Sequence, residues 1–353
     1  MGDNSAIEWT DATWNPIVGC SVVSPGCANC YAMRQAARIE AMYVGRHLKH
    51  GNGAPFQPSP YAGTTQPSKA GAVWTGKVAI VNDHDLTRPL RWTRPRRIFV
   101  NSMSDMFHES VPDAWIDRVF AVMALAPQHT FQVLTKRSRR MRSYVSEVRE
   151  TWCKRGPPTP GNERIQDAAT AITGEEWLPD TPATWPLPNV WLGVSAEDQI
   201  RADERLPDLR ATPSAVRFVS AEPLLGPINF GLPKTHLDWI IVGGESGPQA
   251  RPMSANWARE IRDQCAAANV PFFFKQWGEW APAGFRQSGA PGVFAFGDYE
   301  HDRATMIRVD AYPRQFTRFG ARSVLERVGK AAAGRLLDGV EHNGLPETHA
   351  CAA

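Results

Sequence analysis

Three cysteines within eleven residues, Cys20, Cys27 and Cys30, are the side chains of this chain best suited to chemistry. Their spacing is C-x6-C-x2-C, and the other cysteines, Cys153, Cys265 and Cys351, are scattered. A closed structural zinc site or an ordinary ferredoxin cluster takes four protein ligands. Three thiolates on one short loop leave a metal or cluster one ligand short, and an open position is where an exogenous molecule binds. Thiolates are the soft ligands that iron–sulfur clusters require. Gly19 and the Pro25-Gly26 turn let the loop fold back and bring Cys20 toward the other two. Two plainer readings stand beside this one. The thiols are incidental, or they hold a structural zinc completed by a distant His or Cys.

Other polar residues gain meaning from the elements that carry them. Short apolar runs at residues 77–82, 97–101, 130–134, 190–194, 216–219, 239–242 and 270–274 read as strands, and another strand leads into Cys20. Near-continuous apolar runs are what a parallel sheet buried on both faces needs. Helical patterns at 31–48, 112–126 and 256–268 fall between them. Alternating strand and helix gives right-handed βαβ units. About eight strands in this order predict an α/β fold, a full or partial (βα) TIM-like barrel. The tetrapeptide Val-Ser-Ala-Glu occurs twice, at 194–197 and 219–222, each time after an apolar run. It places Ser195, Glu197, Ser220 and Glu222 at adjacent strand ends, where a barrel carries its active site. Asp105, Lys136, Arg137, Glu245, Lys275 and Gln276 fall at similar ends. Helix capping and structural ion pairing would give the same pattern.

The 353-residue chain suffices for one large α/β domain or two ordinary ones. The expected organisation is a domain over residues 1–280, interrupted by Gly/Pro-rich insertions at about 51–76 and 152–188, and a C-terminal extension over 281–353 that turns helical at about 323–337. No apolar run approaches the ~20 residues that span a membrane. The first residues lack the basic and then apolar segments of a secretory signal. Clustered thiols without such a signal point to the cytoplasm. The net charge of +3 implies no polyanionic partner by itself. Two acid-free runs, Arg88 to Arg97 around Trp92 and Lys136 to Arg142, are candidates for phosphate contact.

The cysteine loop followed by alternating strands and helices resembles the radical S-adenosylmethionine (radical SAM) superfamily. Further motifs make a closer match. Thr13-Trp14-Asn15-Pro16, Gly19-Cys20, Ser24-Pro25-Gly26-Cys27 and Cys30-Tyr31-Ala32 resemble a phage and bacterial three-cysteine-motif family of unknown function. So do Asn101 to Phe107, Leu134-Thr135-Lys136-Arg137, Gly193-Val194-Ser195, Gly243-Gly244-Glu245-Ser246-Gly247, Phe274-Lys275-Gln276-Trp277-Gly278 and residues 329–339. Cys-Tyr-Ala and the Ser-x-x-Asp strand end are distantly similar to spore photoproduct lyase.

The resemblance implies that Cys20, Cys27 and Cys30 hold a 4Fe–4S cluster whose fourth iron takes SAM. Tyr31 would shield the cluster or touch the adenine. Ser102, Ser104, Asp105, Lys136, Arg137, Ser195, Glu197, Ser220, Glu222 and Glu245 are candidates for SAM or substrate contacts, and Glu197, Glu222 and Lys275 for catalysis. The expected partners are a nucleic-acid or nucleotide substrate and an electron donor, and a separately encoded protein is a further candidate. Two other functions remain open: a non-catalytic zinc- or cluster-containing nucleic-acid-binding module, and a metal-dependent hydrolase using the strand-end carboxylates.

Overall fold

Most of the apolar runs do become strands of one sheet. The computed structural model describes residues 5–50, 58–152, 160–176, 185–232, 234, 236–282, 292–298, 303–309 and 324–347. Two compact units divide the chain. One comprises 1–194, 205–217 and 349–353, the other 195–204 and 218–348.

The first unit opens with β1 (Ala12–Trp14) and β2 (Ile17–Val18), then the cysteine loop and α1 (Tyr31–His50). A hairpin of β3 (Thr65–Ser68) and β4 (Gly71–Trp74) follows, then β5 (Ala79–Ile80) and the short α2 (Asp83–Leu86). Next come β6 (Arg97–Val100), α3 (Asp113–Ala124), β7 (Thr130–Thr135), α4 (Ser138–Trp152), α5 (Pro160–Thr173) and β8 (Val190–Ser195). Helix α6 (Gln199–Ala211) leads to β9 (Val216–Ala221). The second unit continues with β10 (Trp239–Gly243), α7 (Ala255–Ala268) and β11 (Phe272–Gln276). A four-stranded sheet, β12 (Trp280–Pro282), β13 (Gly292–Asp298), β14 (Arg303–Val309) and β15 (Val324–Arg327), precedes the short α8 (Lys330–Ala333).

The central sheet has seven strands in the order β1-β6-β7-β8-β9-β10-β11. Its pairings are parallel, as in Ala12 with Ile98, Ile98 with Phe131, Phe131 with Val190, and Ile240 with both Val219 and Phe272. Strands β1 and β11 are the two ends of this order and do not pair with each other, so the sheet is open, and residues 342–344 cover the far edge of β11 through an antiparallel bridge. The expected TIM-like barrel is thus corrected to an α/β fold with an open parallel sheet. The physical reason lies at residues 77–82. Only Ala79–Ile80 form a strand there, and it pairs antiparallel with Ile17–Val18 instead of joining the sheet.

Burial explains the strands. Every residue of β8 and β10 is buried, which is why their sequences are continuously apolar rather than alternating. In α3 the buried Ile116, Val119, Phe120 and Met123 recur at helical spacing along one face. Helix α7 starts where the Ser254 hydroxyl accepts from the Asn256 N–H and ends at Asn269 in the left-handed conformation, φ 52°. The Val270 N–H bonds to the Cys265 carbonyl, so Val270 closes the helix and β11 begins two residues later than its apolar run.

Both expected insertions carry structure. Residues 65–74 form the β3–β4 hairpin, and α5 occupies 160–173. Residues 51–57, 153–159 and 177–184, with Cys153, lie outside the described residues. In the C-terminal stretch the expected helix over 323–337 is corrected to a strand, β15, and the one-turn α8. Strand β15 pairs with β12, as Ala281 with Glu326, and its Leu325 packs on Trp280 and Ala250. Residues 283–291, 299–302, 310–323 and 348–353, with Cys351, lie outside the described residues. Among the described residues no helix is long and apolar enough to cross a membrane.

Candidate functional site

The cysteine loop is tied at both ends. Gly19, at φ +86°, forms a bridge with Ser104, and its Cα lies so close to Lys77 that an added Cβ would sit 2.1 Å from the Lys77 carbonyl oxygen. The Gly76 N–H bonds to the Cys20 carbonyl at 3.1 Å. Pro25–Cys27 form a single 3-10 turn, in which the Cys27 N–H bonds to the Ser24 carbonyl at 2.9 Å and the Ser24 hydroxyl lies 3.7 Å from Cys27 Sγ. Cys30 directly precedes α1. Burial pushes its thiol up, while the N–H groups of Ala32 and Met33 act against that by bonding the sulfur. A thiolate at a helix N-terminus is favoured in just this way. The Tyr31 hydroxyl donates to the Ser102 carbonyl at 2.8 Å, tying the start of α1 to the end of β6.

Beneath Cys20 lies a buried polar network. Asp105, just past β6, accepts from the Thr135 hydroxyl (2.7 Å), the N–H groups of Lys136 (2.9 Å) and Phe107 (3.0 Å), and Arg137 Nη1 (3.2 Å). Arg137, just past β7, also reaches Cys20 Sγ (3.5 Å), Glu109 (3.3 Å) and Ser21 Oγ (2.6 Å). Its side chain and that of Asp105 are each only 6% exposed. Burial, and after it the Asp105 charge, push the Cys20 thiol up to about 12, with Arg137 opposing. His108 is held below its ordinary value by burial and then by Arg137. The Ser110 N–H donates to His108 Nδ1, so the neutral ring carries its proton on Nε2, 2.9 Å from Ser21 Oγ.

The remaining predicted residues of this unit are structural ties as much as donors. Ser104 donates to the Ile17 carbonyl at 2.7 Å, and Ser102 to Asn15 Oδ1 at 3.1 Å. Asn15 Oδ1 also accepts from the Met103 N–H. The basic runs are largely paired. Arg88 meets Asp85, Arg97 meets Asp11, Arg140 meets Asp113 and Arg142 meets Asp208, while Arg96 stacks on Trp92. Arg94 and Arg139 are exposed.

In the second unit the repeated tetrapeptides do lie side by side. The Ala196 N–H bonds to the Ser220 carbonyl, and the Leu225 N–H to the Glu197 carbonyl at 2.7 Å. Ser195 and Glu197 are buried. Glu222 accepts from Ser220 Oγ at 3.0 Å and pairs with Lys275 Nζ at 3.0 Å. Gly243 makes room for that carboxylate, since a Cβ there would lie 2.6 Å from Glu222 Oε1. Glu245 is held by Arg251 through its N–H and Nε (2.8 Å each) and Nη2 (2.5 Å). Gln276 donates to Ser246 Oγ at 3.0 Å.

The structure therefore joins Cys20, Asp105 and Arg137, joins Tyr31 to Ser102, and joins Ser220, Glu222 and Lys275. Sequence reasoning missed Ser21, His108, Glu109 and Arg251. None belongs to a spaced motif, though Ser21 follows the first cysteine directly. Among the described residues no group of three or more His, Cys, Asp or Glu side chains converges to hold one metal ion. A closed zinc site needs such convergence, with sulfurs at ~2.3 Å. A cluster instead meets each thiolate at a different iron. Three soft donors on one loop fit that requirement by their chemistry.

Residues 4–346 match the family described as "protein of unknown function (DUF5131)". The chain belongs to the DUF5131 family. No curated protein and no solved structure matches this DUF5131 chain.

Proposed function

We propose that this DUF5131 protein is a radical SAM-type enzyme acting on a nucleic-acid base or nucleotide. The observation that carries the reading is the loop itself: three free thiols between Gly19 and α1, anchored by two strand ends. Cys20, Cys27 and Cys30 would hold a 4Fe–4S cluster. When bound, such a cluster supplies one electron to SAM for its reductive cleavage. The chain's own residues position the ligands. The N–H groups at the start of α1 support the Cys30 thiolate, and the Arg137 guanidinium supports Cys20. Tyr31, half exposed beside Ser102, is placed to cover one side of the loop. In the second unit Glu222 and Lys275 are a carboxylate and an ammonium within one hydrogen bond, suited to gripping a zwitterion or passing a proton.

The resemblance to radical SAM proteins and to a phage and bacterial three-cysteine family supports the same reading, as does the distant similarity to spore photoproduct lyase. An electron donor, and a separately encoded protein completing the site, belong to this proposal. So does a reducing compartment, the cytoplasm, where clustered thiols persist unpaired. The decisive experiment is anaerobic reconstitution with iron and sulfide, then incubation with SAM and dithionite. The expected result is a brown protein with about four irons per chain that releases 5′-deoxyadenosine. About one zinc per chain and no 5′-deoxyadenosine would refute it in favour of a zinc-stabilised binding module.

A further inference from the structure

Arg137 was a candidate for the SAM carboxylate or a phosphate, yet its donors are spoken for. A guanidinium has five N–H groups. Around Arg137 they meet Glu109 Oε1 (3.3 Å) from Nε, Asp105 Oδ2 (3.2 Å) and Cys20 Sγ (3.5 Å) from Nη1, and Ser21 O (3.4 Å) and Oγ (2.6 Å) from Nη2. No N–H remains for an added anion. Of these five acceptors only the Cys20 sulfur belongs to the cysteine triad. Cys27 has a neutral neighbour, the Ser24 hydroxyl, and Cys30 has backbone N–H groups. Among the described residues, Cys20 alone of the three has a guanidinium within hydrogen-bond reach of its sulfur.

We infer that Arg137 is a positioning residue that orients Cys20 toward the cluster and, by its charged N–H contact with that sulfur, makes the cluster easier to reduce. The inference rests on the cluster reading above. Reduction adds one negative charge to the cluster and its thiolates. A fixed positive charge in contact with one ligand sulfur, in a buried site of low dielectric, stabilises the reduced form more than the oxidised form. Asp105 lies on the same Nη1 atom and fixes the guanidinium, as an outer partner does for a metal ligand. Asp105 also weakens the effect by its own charge, so the shift is modest.

The test compares wild type, Arg137→Gln and Arg137→Lys, all reconstituted anaerobically. Iron content is measured first, and then the midpoint potential by dithionite titration followed by electron paramagnetic resonance. Asp105 keeps three other donors when Arg137 is replaced, which favours a folded Gln variant. That variant is expected to keep its iron while its reduction equilibrium falls about tenfold, which is about 59 mV for one electron. The Lys variant keeps the charge but loses the fork that reaches Asp105, Ser21 and Cys20 together, so its shift is smaller and of the same sign. An unchanged midpoint in an iron-replete Gln variant, or in the Lys variant if the Gln variant does not fold, overturns the inference and leaves the cluster reading standing. Wild type that takes up no cluster overturns both.

Discussion

Replacing Gly19 by Ala tests whether the cysteine loop is placed by a close backbone approach. Gly19 is at φ +86°, and a Cβ there would stand 2.1 Å from the Lys77 carbonyl oxygen, well inside the 3.0 Å that real Cβ contacts keep. Two costs add. The left-handed conformation costs an L-residue about 1–2 kcal/mol, and forcing an atom into occupied space costs about 1–3 kcal/mol. The total is about 2–5 kcal/mol. For a unit of this size each kcal/mol lowers Tm by about 2–4 °C, so the fall is roughly 4–20 °C. Gly76 supplies the control. Its φ is +87°, and among the described residues no atom beyond its chain neighbours lies within 4 Å of its Cβ position. Gly76→Ala carries the backbone cost alone, about 1–2 kcal/mol. Thermal unfolding followed by tryptophan fluorescence measures both. Equal falls in Tm would refute the argument, because the contacts with the Lys77 carbonyl and the Thr64 methyl, 3.1 Å from the Cβ position, are what separate the two positions. The Gly19 variant should also take up less iron on reconstitution, since the oxygen it displaces lies on the segment that holds the loop.

Replacing Cys20, Cys27 or Cys30 by Ala should abolish the reconstituted cluster absorbance, while Cys265→Ala, buried in α7, should leave it; full iron in a Cys27→Ala variant would remove the assignment. Glu222→Gln and Lys275→Met should each cost about 1.5–3 kcal/mol in urea unfolding, and the double variant should cost less than their sum, whereas strict additivity would mean that the 3.0 Å pair does not interact. Hydrogen bonds from Arg259 hold the Asp338 carboxyl down at about 2, against an ordinary 3.8. A lowered carboxyl contributes stability that is present above 3.8 and lost as pH falls toward 2, so the stability gap between wild type and Asp338→Asn should close between about pH 4 and 2; a constant gap would refute the ion pair. If the substrate is a nucleic acid, affinity should fall with salt, and removing the exposed Arg139 charge should reduce the log–log slope by up to about 0.9; a gel shift showing no binding at low salt would leave a small molecule or a protein as substrate.

Where a segment's own sequence decides its structure, the sequence was enough. The continuous apolar runs of β8 and β10 announced strands buried on both faces, and the helical pattern over 112–126 announced α3. The repeated Val-Ser-Ala-Glu correctly put Glu197 and Glu222 at neighbouring strand ends. Partner choice was not legible. Residues 77–82 look like any other sheet strand, yet their place beside Ile17–Val18 is settled by long-range pairing, and that choice separates the open sheet from the expected full or partial barrel. Residues 324–327 likewise became a strand because β12 and β13 offered ladder partners. The cysteine loop was legible as a loop that leads into α1, because its spacing is local. The surroundings of Cys20 were not, because Asp105 and Arg137 reach it from strand ends far along the chain. A basic run in sequence could not reveal that Arg88, Arg97, Arg140 and Arg142 each meet an acid in the fold.

The order in which these parts leave the ribosome follows from the same topology. Strand β1 pairs with β6, whose residues come more than eighty positions later, as Ala12 with Ile98. Arg137 follows Cys30 by roughly a hundred residues. At about 5–20 residues per second, the three thiols spend roughly 5–20 s in a nascent chain that cannot yet bury them. During that interval nothing from β6 or β7 screens them from oxidants or stray metal ions. If the three thiols are to take up a cluster, they are therefore most vulnerable while the chain is being made, and the yield of cluster-competent protein should depend on the redox state of the cell during synthesis more than on that of the buffer after purification.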